Sequence, residues 1–301
     1  MSDKYQRPKY KEIRYTGIKT KIPEGYDYFQ LKMDGMYATL TIRDGVWSIV
    51  SRTGVEKASG MWPSTSDHYV LTGEYMKGSH WAKRQGIEED SFYAFDIHNY
   101  KGMSMFTDDS SREDKDYYLR DKYILRAVSN IKERVNHLVF AKDSFTIKKV
   151  NTYQVAEWYR TWTDVVEDKD YEGLIFRNSY QKLSDTDKHP LRMKKVVEMD
   201  YICVGFEPAD ERSRYKGLVG GVKGTLIDKD IVVECGGLTD EQRREYTANA
   251  ENYIGKIFTA KGNDWFPSGS IRHPKFREWR TDKTHYECSY TQVPKDIRSE
   301  D

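Results

Sequence analysis

The chain has 301 residues, of which 38% are hydrophobic, 14% aromatic and 32% charged, with a formal net charge of +1. That length suggests two domains with real cores, and the balanced charge excludes a global field for holding a polyanion, leaving local basic patches for any nucleic-acid partner. Three widely spaced cysteines without a C-x-x-C pair, a polar start and no long apolar run argue against disulfides, zinc, a signal peptide or a membrane span, and suit a reducing cytosol.

Residues 26–196 read as an α+β domain. Tyr26–Leu31 predicts a strand that ends at Lys32-Met33-Asp34-Gly35. Met36–Ile42 and Val46–Ser51, joined by Arg43-Asp44-Gly45, predict a hairpin, with Asp-Gly as the turn. Tyr69–Tyr75 and Ser91–Ile97 read as short buried strands. Between Asp116 and Val139, Tyr117, Ile124, Val128, Ile131, Val135 and Leu138 recur at helical steps. A second helix is expected from Thr152, as its N-cap, through Trp158. Leu174–Arg177 and Leu191–Val196 read as strands.

Near Glu198–Asp200 the pattern changes, giving expected domains of 1–198 and 199–301. Strands at Tyr201–Phe206, Val222–Ile227, Ile231–Cys235 and Ile257–Ala260 alternate with glycine-rich turns, and one short helix follows Thr239. About five strands and one helix suit a small OB-type β-barrel. The polar tail after Gln292 is expected to fray.

Short motifs punctuate these elements in order: Lys32-Met33-Asp34-Gly35, Ser51-Arg52-Thr53-Gly54, Gly73-Glu74-Tyr75, Phe95-Asp96-Ile97, Glu172-Gly173-Leu174-Ile175-Phe176-Arg177 and Leu191-Arg192-Met193-Lys194. Arg272-His273-Pro274-Lys275-Phe276 and Arg280-Thr281-Asp282-Lys283 follow in the barrel region. Each is short, and their order carries the weight. The series resembles the covalent nucleotidyltransferase superfamily, and within it the small ATP-dependent DNA ligases of phages and viruses, from about Gln30 to Lys283.

The resemblance implies an adenylation domain followed by an OB-fold domain. It implies that Lys32 attacks the α-phosphorus of ATP, that the adenylate passes to the 5′-phosphate of a nick, and that the 3′-hydroxyl then expels AMP. A free lysine titrates near ~10.4, so nearby cations must help supply the neutral amine. Arg192, Lys194 and Mg²⁺, for which Mn²⁺ can substitute, are the implied charges around Lys32. Glu172, Glu74 and Asp34 are the implied metal-associated carboxylates; Glu74 otherwise contacts ribose and Asp34 steers the 3′-hydroxyl. Phe95 is the implied stacking partner of adenine and Gln30 the reader of its amino group. Arg52 is expected at ribose or the nick phosphate, with Arg177 doing similar work. Arg280, Asp282 and Lys283 match the motif that orients the pyrophosphate. Arg272, Lys275, Arg277 and Arg280, interleaved with Phe276 and Trp279, read as a strip that tracks phosphates or as a strand with alternating faces.

Two positions depart from the family pattern. Tyr37 stands where K-x-D-G-x-R has arginine, which shifts the nick phosphate to Arg52 or Arg43. Arg192 replaces the first lysine of L-K-x-K, keeping charge but not geometry. The glycine-rich stretch Lys216–Lys223 is expected to be a flexible basic latch around DNA, which would otherwise have to be encircled without a helical domain ahead of Tyr26. The expected partner is nicked duplex DNA and the expected state a monomer, with no membrane and no protein partner legible. An RNA ligase or capping guanylyltransferase stays open as an alternative with the same lysine chemistry, and a non-catalytic nucleic-acid binder as a third.

Overall fold

The computed structural model describes residues 11–15, 18–77, 91–106, 115–135, 145–167, 171–183, 185, 189–295 and 297–298. They form two compact units, Met1–Lys194 and Lys195–Asp301.

The first unit opens with β1 (Lys11–Glu12), β2 (Tyr28–Lys32), β3 (Met36–Arg43), β4 (Val46–Ser51), β5 (Glu56–Met61) and β6 (Tyr69–Tyr75). It continues with β7 (Ser91–Tyr100), β8 (Met103–Ser104), helix α1 (Tyr117–Val135), β9 (Thr146–Lys149) and β10 (Thr152–Gln154). A helical run including α2 (Trp158–Thr161) leads to β11 (Gly173–Arg177) and β12 (Leu191–Lys194). These strands make two sheets. One has the order β1-β12-β11-β2-β10; the other runs β5-β4-β3-β6-β7-β8, with β9 parallel to β7.

The second sheet follows from its alternation. Ala38, Leu40 and Ile42 on β3 are fully buried, as is Ile49 on β4, with Trp47 nearly so. Asp44 and Gly45 both take positive φ, 53° and 78°, the turn that matches the twist of a two-residue hairpin. α1 starts where the Asp116 carboxylate accepts from the Leu119 N–H at 2.9 Å, a side-chain cap. Its buried stripe of Ile124, Ala127, Val128 and Ile131 closes over the core containing Trp47, Phe92 and Ile147. The expected end of α1 at residues 136–139 lies outside the described residues.

Two local expectations are corrected. Thr152 does not cap a helix: it belongs to strand β10, and its hydroxyl donates to Asp121 at 2.9 Å. The helical run begins at Val155 as a 3₁₀ turn and ends as a π-helical stretch, Trp162–Glu167. Strand β5 was not legible, since Glu56-Lys57-Ala58-Ser59-Gly60-Met61 is polar. Packing places it there: a Cβ on Gly60 would meet the Trp47 ring at 2.7 Å, so a bare backbone is needed where that ring lies.

The second unit contains β13 (Val197–Pro208), β14 (Val219–Thr225), β15 (Val232–Cys235), α3 (Asp240–Ala248), β16 (Ile257–Gly262), β17 (Asp264–Trp265), β18 (Ile271–Arg272) and β19 (Lys275–Arg280). Five strands pair in the order β15-β14-β13-β16-β19, and a bridge between Gly236 and Lys275 joins the two ends of that order. With α3 between its third and fourth strands, this is an OB-type barrel. Tyr201, Val222, Phe258 and Phe276 fill it. Thr239 caps α3 through a reciprocal pair with Gln242.

The flexible latch is also corrected. Val219–Thr225 is barrel strand β14, with Val222 fully buried and Val219 nearly so. Residues 209–218 form a chain of tight turns, among them Ser213 N–H to Asp210 O at 2.8 Å and Leu218 N–H to Tyr215 O at 2.9 Å. The tail does not fray at once: Val293 is fully buried, Ile297 packs against the barrel core, and Ile297 N–H donates to Pro294 O at 3.0 Å.

Candidate active site

The site of the first unit is organised by β11, which lies between β2 and β12. Gly173 at its start is the cross-strand partner of Lys32 on one side and Lys194 on the other. Residues in one cross-strand row share a face, so the two lysines flank a position with no side chain. Gly173 has φ 150°, and a Cβ there would lie 2.0 Å from the Met193 carbonyl oxygen. Only glycine allows the strands this approach.

Glu172, just before that glycine, fills the gap. Its Oε1 accepts from Lys194 Nζ at 2.7 Å and its Oε2 accepts from Lys32 Nζ. Burial alone would raise the Glu172 carboxyl, but the charges and hydrogen bonds of Lys32 and Lys194 outweigh it and hold the group below the usual carboxylate range. The glutamate is therefore an anion held between two ammonium groups. Arg192 falls two rows away, opposite Ile175, and its guanidinium donates to Glu12 of β1.

An apolar cluster adjoins this row. Met33, Met76, Tyr93, Phe95 and Val150 pack together, with Tyr37 and Tyr171 against them. The Tyr37 ring lies 5.9 Å from Phe95 at 49°, so the residue that departs from the family pattern supplies an aromatic wall. Glu74 on β6 sits in one row with Tyr37 and Tyr93. A Cβ on Gly35 would come within 2.5 Å of Met76 Sδ, which accounts for the glycine of the K-x-D-G turn. Asp34 is half-buried in that turn, and Arg52 is exposed at the tip of the β4–β5 hairpin.

Behind the cluster lies a buried polar network that the sequence reading missed. Asp96 accepts from Arg120 at 2.8 Å, and Arg177 stands 3.9 Å from its other oxygen. Arg120 also donates to the carbonyls of Lys115 and Gln181 at 2.7 and 2.8 Å. Burial pushes the Asp96 carboxyl up, and the two arginines more than reverse it, so it titrates below its usual range. Arg177 Nε donates to Gln30 Oε1 at 3.2 Å, and its guanidinium lies 5.6 Å from the Phe95 ring. The signal was present: a charged residue inside the otherwise apolar run Ser91–Ile97 requires a buried partner.

This network corrects the role expected of Arg177. It is 1% exposed, committed to Gln30 and Asp96, and presents no surface to a DNA phosphate. The three carboxylates expected to share a metal do not form a ligand cluster: no three His, Cys, Asp or Glu side chains converge among the described residues. Of the three, Glu172 is the one seen paired with both Lys32 and Lys194.

In the second unit several of the basic residues expected at phosphates are paired with carboxylates. Arg280 makes two hydrogen bonds to Asp282, at 2.8 and 2.6 Å, and lies 3.6 Å from Asp200. The hydrogen bonds from Arg280 hold the Asp282 carboxyl down at about 2. Lys283 pairs with Glu287 at 2.8 Å. Lys216 pairs with Glu211 at 2.6 Å, Lys223 with Glu207, and Arg277 with Glu198. Arg272 lies on β18, and Lys275 is exposed on β19 beside the buried Phe276. Strict alternation does not describe β19: its burial departs from a two-residue period, and a register shift at Arg277 lets Phe276 and Trp279, three residues apart, both join the barrel's aromatic cluster.

No family model and no curated protein matches the chain. Among solved structures, it is similar to Pmar-Lig_PreS3, with TM-score 0.59 and 17% identity over 85% of this chain, and to Pmar-Lig_Pre., with TM-score 0.60 and 16% identity over 86%. The alignments span 63% and 64% of those two chains. A structure from a study of Lig E DNA ligases aligns with TM-score 0.58 and 17% identity, over 86% of this chain and 94% of that one. At these identities the likeness is one of fold.

Proposed function

We propose that the protein is an ATP-dependent DNA ligase that seals nicks in duplex DNA through a lysyl-AMP intermediate. The observation that carries this reading is the row Lys32–Gly173–Lys194 with Glu172 held between the two ammonium groups. Few structural roles call for two lysines converging on one glycine, beside an aromatic cluster that includes Phe95.

The chemistry follows from these residues. Lys32 Nζ, after losing a proton, forms a bond to the α-phosphorus as the bond to the pyrophosphate oxygen breaks. Lys194 stabilises charge on the phosphoryl oxygens, which is most of what such transfers need. A triphosphate competes with Glu172 for both ammonium groups, freeing the carboxylate to receive the Lys32 proton or to meet a magnesium ion. That ion, when bound, supplies further charge neutralisation. The 5′-phosphate oxygen at a nick then displaces Lys32, and the 3′-hydroxyl displaces AMP. Phe95 and Gln30 are assigned to the adenine. Arg52 and the exposed Lys275 are assigned to the nucleic acid, and Arg280 with Lys283 to the pyrophosphate.

The test is incubation of the full chain with Mg²⁺ and α-labelled ATP or GTP, followed by a denaturing gel and by nicked-duplex joining. A band with ATP that disappears in Lys32→Ala, together with sealing of nicked DNA, is expected. Labelling by GTP alone moves the protein to the capping chemistry. A band retained by Lys32→Ala overturns the assignment of the nucleophile.

A further inference from the structure

We infer that the second unit carries a docking groove between α3 and β19 that takes an arginine side chain from a basic segment of another protein. The inference stands apart from the chemistry assigned to Lys32.

The groove is a cavity of about 540 Å³ whose lining includes Glu241, Arg244, Glu245, Tyr246, Tyr253 and Trp279. Tyr246 is buried, Tyr253 and Trp279 are half-buried, and the three charged residues are exposed. Tyr253 and Trp279 stack at 5.0 Å and 28°, and Tyr246 stands edge-on to them at 4.8 and 5.8 Å. Trp279 Nε1 donates to the Tyr246 hydroxyl at 2.9 Å, which fixes the indole. Packing of the barrel accounts for the buried edges of these rings. It does not account for the parts that line an open cavity, or for the carboxylates beside them.

Glu241 and Glu245 are four residues apart on α3 and so share one face of the helix. Glu245 is held in place: its Oε1 accepts from the Tyr253 hydroxyl and from the Asn249 amide, both at 3.1 Å. An aromatic ring attracts a cation through its quadrupole, and a neighbouring carboxylate adds Coulombic attraction. The chain displays that preference itself, since Lys256 Nζ lies 4.9 Å from the centre of the Tyr253 ring. Against the two carboxylates, the described residues of the lining set one cation, Arg244.

That balance selects the occupant. Aromatic rings on a barrel of this type can stack bases, but two carboxylates repel the phosphates that accompany a base. A wholly apolar segment would bury those carboxylates without a partner. An arginine answers both features. Its planar guanidinium lies against aromatic rings, it sheds water more readily than an ammonium, and its fork gives a carboxylate two parallel hydrogen bonds.

The experiment titrates the full chain, labelled on its tryptophan indole nitrogens, with the peptide acetyl-Gly-Gly-Arg-Gly-Gly-amide and with a twin carrying neutral citrulline. The Trp279 signal is assigned by its loss in Trp279→Phe. The arginine peptide is expected to move that signal saturably, and the citrulline twin to leave it in place. Glu245→Gln should weaken the binding by about tenfold, the scale of one hydrogen bond to a charged group, while Arg244→Gln should tighten it by removing a like charge. The other indole signals check that each variant is folded. Absence of a saturable shift, an equal response to the twin, or unchanged binding in folded Glu245→Gln overturns the inference. So does an equal shift with spermine, which makes the groove a general cation site, or a shift with nicked duplex alone, which gives the face to nucleic acid.

Discussion

Gly173 decides the geometry of the lysine row more than either lysine does. Its missing Cβ lets β11 approach β12 closely enough for Glu172 to reach both Lys32 and Lys194. Gly173→Ala is expected to destabilise the first unit by about 2 kcal/mol or more, from overlap with the Met193 carbonyl and an unfavourable φ; urea unfolding checks this. Lys194→Met should slow Lys32 labelling by about 10²–10³-fold, the usual effect of removing one charge-stabilising donor, with the urea midpoint of the fold reported alongside. Asp96→Asn removes the negative charge between two arginines that are each 1% exposed. A cost of about 3–5 kcal/mol is expected for unbalancing such a buried pair, and a midpoint unchanged within error would show that the network is not what joins the two sheets here.

At the scale of elements, legibility followed the strength of the local signal. β3, β4, β6 and β7 were visible because alternation or an apolar run marks a buried face, and α1 because its stripe repeats at helical steps. β5 and β10 were not visible, since their residues are polar or few and their place comes from neighbouring strands. The same limit cut β14 short: Val222–Ile227 was legible as a strand, but the glycines at 220 and 221 read as part of a flexible loop, where the structure uses them for close packing. A Cβ on Gly224 would meet the Phe258 ring at 2.6 Å, and one on Gly220 the Pro208 carbonyl at 2.8 Å. Removing residues 218–222 therefore removes part of a barrel strand, and loss of the fold is the expected result. The capping box at Thr239 was legible, and Thr239→Ala should cost about 1 kcal/mol, read as a lower urea midpoint for the second unit with Lys32 labelling unchanged.

For the whole molecule, the acid response of the first unit rests on buried carboxyls, whereas carboxyls lowered in the second, such as Asp282 and Glu287, lie at its surface. Glu172 and Asp96 both belong to the first unit and both titrate below their ordinary values of 4.5 and 3.8. A carboxyl lowered by folding contributes stability that is fully present above its unfolded value and is lost as pH falls through its folded value. The first unit should accordingly weaken as pH drops below about 4.5, and Asp96→Asn should flatten that decline; urea midpoints at steps from pH 7 to pH 3 measure it. The order of motifs, the helical and alternating periods and the glycine of the K-x-D-G turn were determined by the sequence, because each depends on residues near one another along the chain. The row that joins Lys32 to Lys194, the pairing of barrel cations such as Arg277 and Arg280 with carboxylates, and the burial of Arg177 beneath Phe95 were decided only by the tertiary structure. Each of these depends on which distant strands become neighbours, and a charge read along the chain cannot show whether folding will place it in water or against an opposite charge.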